Sequence, residues 1–318
     1  MPDLPPAMAS RVVYNPNFSD KAELARIAAK PLPFYERLYH LAALRKLVLL
    51  LVLAGLWQVA AWKINIPLLF PSLSDTVSAL IGGLFHEKIG QCAGQFACVV
   101  LAVKDGNVFG ELALKIWASL HMLLMGYVMG LALALLLTAF AVATKFGADL
   151  LETMTAMFNP LPAIALLPIA LLWFGLGQTS LIFVLVHSVV WAVAMNTHAG
   201  FLAVSATLRM VGKNYALPGY AYIGQLLIPA AFPSILSGLK IGWAFAWRTL
   251  IASELVFGVA SGKGGLGWFI MVNKNNLETA NVFAGLLSVI IIGLLVENLI
   301  FRTLENRTVR RWGMTFVG

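Results

Sequence analysis

The stretch 233–258, PSILSGLKIGWAFAWRTLIASELVFG, carries Lys240, Arg248 and Glu254 in an otherwise apolar run. On a helix, Arg248 lies about 12 Å beyond Lys240, and Glu254 about 9 Å further. Charges at such depth are costly in hydrocarbon and mark functional sites, facing protein or a wet cavity. A guanidinium is well matched to oxyanions. At 100° per residue, Trp243 and Trp247 each fall within about 20° of Glu254, whereas Arg248 lies about 100° from Trp247. One face is expected to line a path while the other packs on a neighbour. Arg248, Trp247 and Glu254 are therefore the path candidates. For Arg248 the alternative is an ion pair with another helix. For Glu254 it is a hydrogen bond between helices. His121, His187 and His198 lie in or near apolar runs and are expected to be packed, hydrogen-bonded residues.

Other chemistry is missing from the sequence. There is no Gly-x-x-x-x-Gly-Lys-[Ser/Thr] phosphate loop; Gly262-Lys263-Gly264-Gly265 has the wrong order. The chain is thus expected not to hydrolyse ATP itself. No His-Glu-x-x-His and no Gly-x-Ser-x-Gly occurs, which weighs against a membrane-embedded enzyme. Cys92 and Cys98 have no nearby histidine ligands and make no zinc site. They serve either as small apolar residues or, on the outer side, as a disulfide pair. No metal and no cofactor is expected in this chain.

These residues need a membrane to hold them. Hydrophobic residues make up 60% of the chain and charged ones 11%, against roughly 45–50% and 25% in soluble domains. The mean hydropathy is +0.86. The sequence predicts an all-α integral membrane protein of about six spans, over 47–62, 117–143, 149–173, 177–199, 233–258 and 281–301. Gly126, Gly130 and Ala134 form a small-residue stripe on the second span. Pro160, Pro162 and Pro168 kink the third and bury it among other helices. Residues 1–46 read as an inner arm with a short helix, 47–301 as the membrane domain, and 302–318 as a basic inner tail. Within the domain, 64–115 is an outer segment, whose part at 93–103 could dip into the membrane. Lys and Arg concentrate on the inner side if both termini are inside. The net charge of +8 fits anionic lipid better than nucleic acid.

The inner segment 200–231 is the most informative. A loop of about thirty residues on a compact bundle is expected to dock a soluble partner. Residues 215–258, YALPGYAYIGQLLIPAAFPSILSGLKIGWAFAWRTLIASELVFG, resemble permeases of ATP-binding-cassette (ABC) importers, in the nitrate/sulfonate/taurine/bicarbonate group. Pro71-Ser72-x-x-Asp75, FNPLPAIALLPIALLWFGLG at 158–177, and GGLG at 264–267 are similar to that family in consistent order. The resemblance implies a type I importer bundle of two permease copies, most simply a homodimer. Separate ATPase subunits would bind ATP-Mg on the inner side, and a periplasmic protein would deliver a small anion. It places the chain in a bacterial inner membrane. It also implies that Arg248 helps pass the anion. The family's inner loop begins Glu-Ala-Ala, has a glycine four residues on, and ends Leu-Pro thirteen residues later. Aligned on Pro229, those positions fall on Met210, Val211, Gly212 and Ala216, so the strict pattern is not kept. Tyr215, Leu217 and Tyr220, around Pro218-Gly219, are the expected anchors for the ATPase. A secondary transporter or channel working alone is the alternative. It would have no need of this loop.

Overall fold

The computed structural model describes residues 42–85, 109–258 and 264–313. Cys92, Cys98 and the stretch 93–103 lie outside the described residues, as does most of the inner arm. The chain divides into two compact units, Met1–Val59 and Ala60–Gly318.

The described part of the first unit is the start of helix α1, Ala42–Ile64. Its residues Leu47, Leu49, Leu51, Leu53 and Leu56 are all more than half exposed. In water such a helix would aggregate; in hydrocarbon those side chains meet a solvent as apolar as they are.

The second unit is a helical bundle. Helix α2, Leu73–Leu84, starts at Ser72, whose side chain accepts from the Asp75 amide and donates to the Asp75 carboxylate. The Pro-Ser-x-x-Asp motif is thus a helix cap. Helix α3 spans Glu111–Ala143. A bridge between Phe85 and Phe109 ties the two ends of the segment between α2 and α3.

The third predicted span, 149–173, is not one rod. Helix α4, Lys145–Phe158, and a second arm bend by 87° at Asn159-Pro160-Leu161-Pro162. That arm is a 3-10 turn, Ala163–Leu166, followed by helix α5, Leu167–Phe174. Two prolines, three residues and one residue before the second arm, remove donors that a continuous helix would use, and the chain breaks there.

Helix α6, Gln178–Leu202, is the centre of the unit. It packs most extensively against α3 and helix α8, Ile228–Phe257. Small residues make both contacts close. A Cβ on Gly130 would come within 2.7 Å of Val189, and one on Gly126 within 2.6 Å of Leu185. From the other side, Gly238 and Gly242 face Asn196 and Val193 at 2.9 Å. Backbones therefore approach closely, and packing rather than water exclusion holds the three helices together.

Helix α7, Ala206–Asn214, follows α6. A short turn, Gly219–Ala221, and a wide turn with i→i+5 bonding, Tyr222–Leu227, lead into α8. Helix α9, Leu266–Asn275, and helix α10, Thr279–Leu295, complete the bundle. A second wide turn, Val296–Phe301, and helix α11, Arg302–Arg307, extend α10. Residues 302–313 are thus not a loose tail. Phe301 and Val309 pack with Leu236 of α8, Trp312 meets Phe232 edge-on, and Lys240 Nζ donates to Glu305 at 2.9 Å. Among the described residues, five helices are long and apolar enough to cross a membrane, and the bent pair makes a sixth if its arms form one crossing.

Candidate functional site

The break in the bent pair leaves a cavity of about 320 Å³ against α6 and α8. Residues 158–164 form one wall, His187, Ser188 and Trp191 of α6 another, and Phe245, Arg248, Thr249 and Ala252 of α8 the third. Arg248 is exposed here, its guanidinium carbon 5.9 Å from the centre of the Phe245 ring. Among the described residues, no acidic side chain lines the cavity. No ion pair to Arg248 is found among the described residues, so the alternative of a structural pair has no partner there.

Part of this wall is an aromatic cluster. Phe158, the last residue of α4, stacks on Trp191 with centroids 5.3 Å apart and planes 15° from parallel. It meets His187 edge-on at 6.0 Å. A second cavity of about 500 Å³ shares Asn159 and Pro160 with the first. Its wall includes Thr155, Glu152, Met195 and His198. His187, Trp191, Met195 and His198 follow one another at three- and four-residue steps, so one face of α6 lines both spaces.

The other two path candidates lie elsewhere. Trp247 is 7% exposed and belongs to the hydrophobic core. Glu254 is 1% exposed and ties three helices together. Its carboxylate accepts from Ser119 Oγ of α3 at 2.8 and 2.9 Å and from the Gly267 amide of α9 at 2.9 Å. Ser119 Oγ in turn accepts from the Leu266 amide at 2.7 Å. An acceptor pair at the start of α9 satisfies amides that no helical carbonyl can reach. A Cβ on Gly265 would overlap both Glu254 and Ser119, and one on Gly267 would crowd Ile251 O and Glu254, which explains these two glycines of GGLG. The helical-face separation of Arg248 from Glu254 is therefore real, but the Glu254 face is the packed one.

The loop after α6 has its own architecture. Ser205 caps α7, accepting from the Leu208 amide at 3.3 Å. At the other end, the Leu217 amide bonds Gly212 O and the Ala216 amide bonds Lys213 O. This pair of bonds is a Schellman cap, which requires a left-handed residue, and Ala216 has φ 48°. The position where the family carries glycine is the one whose backbone demands it. Gly212 is buried against Tyr222 and Leu226, at 2.7 and 2.8 Å from where a Cβ would sit. Arg209 turns inward and bonds Phe201 O and Val204 O at the end of α6.

Of the expected anchors, Tyr215 is 78% exposed, but Leu217 is partly buried against Val204, Leu226 and Leu227. Leu217 is thus a contact inside the loop, the apolar partner that accompanies such a cap. The side chain of Tyr220 is outside the described residues. Met210 and Val211 of α7, where the strict family pattern is not kept, are 57% and 41% exposed. Pro229 sits in the first turn of α8 directly after the wide turn, where a missing amide is tolerated.

Comparison with known proteins agrees with this architecture. Residues 126–312 match the family "Binding-protein-dependent transport system inner membrane component". The chain is 28% identical over 251 residues to a Bacillus subtilis protein named as an aliphatic sulfonates transport permease, covering 79% of this chain and 88% of the relative. It is 28% identical over 276 residues to the nitrate import permease protein NrtB of Synechocystis, covering 85% and 90%. It is 32% identical over 158 residues to the taurine transport system permease protein TauC of Escherichia coli, covering 50% and 56%. ATP hydrolysis in such systems is the work of separate subunits, so the chain is not an enzyme. With its helical bundle, its structured loop between α6 and α8, and a match over most of its length, the chain belongs to the binding-protein-dependent family of inner membrane components: it is the permease subunit of an ABC importer.

Proposed function

We propose that this permease moves a small anion, of the nitrate, sulfonate or bicarbonate kind, through the cavity beside Arg248. The observation that carries the reading is the lone guanidinium on the wall of a cavity without an acidic side chain. An unopposed positive charge in a low-dielectric space attracts anions and repels cations. The printed names of the relatives, which include nitrate and sulfonate permeases, support the same class.

Two copies of the chain would face each other across the path in a bacterial inner membrane, with both termini in the cytoplasm and the bent pair counted as one crossing. A periplasmic binding protein would deliver the anion. Cytoplasmic ATPase subunits would dock on the loop at 200–231, with Met210, Val211 and Tyr215 as the contact face. ATP-driven closure of those subunits would swing the loop and alternate access to the cavity. The wide turn Tyr222–Leu227 is where that motion enters α8.

The test is uptake of labelled nitrate and ethanesulfonate by proteoliposomes holding the permease with its ATPase and binding protein. Arg248→Ala is expected to abolish uptake while ATPase association persists. Uptake at the unaltered rate in that variant refutes the reading.

A further inference from the structure

Among the described residues, neither ring nitrogen of His187 nor Nε1 of Trp191 has a hydrogen-bond partner, and all three atoms are shielded from solvent. Whichever nitrogen of His187 carries the proton, that N–H has no acceptor. Shielded polar groups are normally paired, and the exceptions need a reason. Both residues border the cavity that Arg248 faces. Phe158 lies against both rings, stacked on the indole and edge-on to the imidazole. Phe158 ends α4 at the 87° break, so a change of bend moves it.

We propose that His187, Trp191 and Arg248 form an occluded binding site for a monovalent oxyanion, and that Phe158 is its gate. The proposal rests on the anion-permease reading above and adds the recognition chemistry to it. In the present conformation the gate is shut and the two N–H groups wait behind it. When the bent pair moves, they turn toward an oxyanion held on Arg248. Three donors converge on one head group, which suits the several oxygens of a nitrate or a sulfonate. Within one copy, the described lining of the cavity carries one fixed positive charge, Arg248. One negative charge is thereby balanced; a second would be left uncompensated in a low-dielectric space. A dianion such as sulfate is therefore excluded by charge, though its size and shape are close to those of a sulfonate head.

The experiment is binding of nitrate, ethanesulfonate and sulfate to the full-length chain in nanodiscs, followed by calorimetry. At least one monovalent probe is expected to bind, and sulfate to bind at least about tenfold more weakly. His187→Phe and Trp191→Phe each keep the ring and lose the N–H; each is expected to weaken binding about tenfold, the loss of one hydrogen bond to a charged group. His187→Gln restores a donor and recovers most of the affinity, which separates a binding defect from a folding defect. Phe158→Ala removes the gate and tightens binding several-fold, because no closed population has to be opened first. Equal binding of sulfate overturns the proposal. So does unaltered binding in both His187→Phe and Trp191→Phe; if Arg248→Ala still loses binding then, the anion path survives without the occluded site. Absence of binding by either monovalent probe overturns the proposal too, and the uptake assay then decides the broader reading by itself.

Discussion

Ala216 holds a left-handed backbone, where its Cβ crowds the neighbouring carbonyl oxygen. Such a conformation costs a non-glycine residue roughly 1 to 2 kcal/mol. Ala216→Gly is therefore expected to stabilise the loop by about 1 kcal/mol, visible as a higher Tm in detergent, while Ala216→Val lowers it. A Tm that falls in the glycine variant contradicts the cap. Glu254 is the opposite case, a residue whose removal leaves partners stranded. Glu254→Ala orphans Ser119 Oγ and the Gly267 amide in a buried node and is expected to cost about 3 kcal/mol. Glu254→Gln keeps one acceptor oxygen and should cost clearly less. Equal Tm values for the two variants would show that the hydrogen bonds matter little. Both residues show what single positions reveal in advance. Depth and helical angle separate Arg248 from Glu254 in the sequence. Which face is wet does not follow from either, because that depends on Ser119, 135 residues away, and on Gly267 of the next helix.

At the level of elements, the small-residue stripe was readable and the bend was not. Spacing of four in Gly126, Gly130 and Ala134 announces a packing face, and α6 lies on it. Gly130→Leu is expected to cost at least about 3 kcal/mol by overpacking against Val189, lowering the yield of monodisperse protein in size-exclusion chromatography. A well-behaved, fully active variant would mean that α3 and α6 are less tightly apposed. The prolines at 160 and 162 predict a kink, but a kinked span and a sharply bent pair share the same composition. The angle is set by what the two arms pack on. Paired Pro160→Ala and Pro162→Ala substitutions should let α4 run on past Phe158 and pull that ring off Trp191. Transport is expected to fall while the Tm is held or raised. Transport at the unaltered rate would show that the bend has no part in the path.

For the molecule as a whole, the loop is a structured element on the bundle, and under the proposed function it is where the ATPase subunits would act. Its inner face is sealed by Leu217, Gly212, Tyr222 and Leu226; its outer face offers Met210, Val211 and Tyr215. The distinction was hidden in the sequence, since Leu217 and Tyr215 are neighbours of similar character in a loop, and only the cap turns one in and the other out. Met210→Asp with Tyr215→Asp is expected to abolish co-purification of the ATPase subunit without lowering the Tm. Leu217→Asp, by contrast, should lower the Tm as well, by burying a charge in the loop's own core. If the double variant still retains the ATPase, docking uses another surface.

The close contacts of α6 with α3 and α8 have a practical consequence for anyone watching the transporter work. Three helices whose backbones touch through glycine cannot slide without steric overlap, so they make a ruler. Spin labels placed on α3 and α8 should report one unchanging distance through the whole ATP cycle. A label beside Phe158 on α4, measured against that ruler, is the needle, and its two readings would be the two openings of the path.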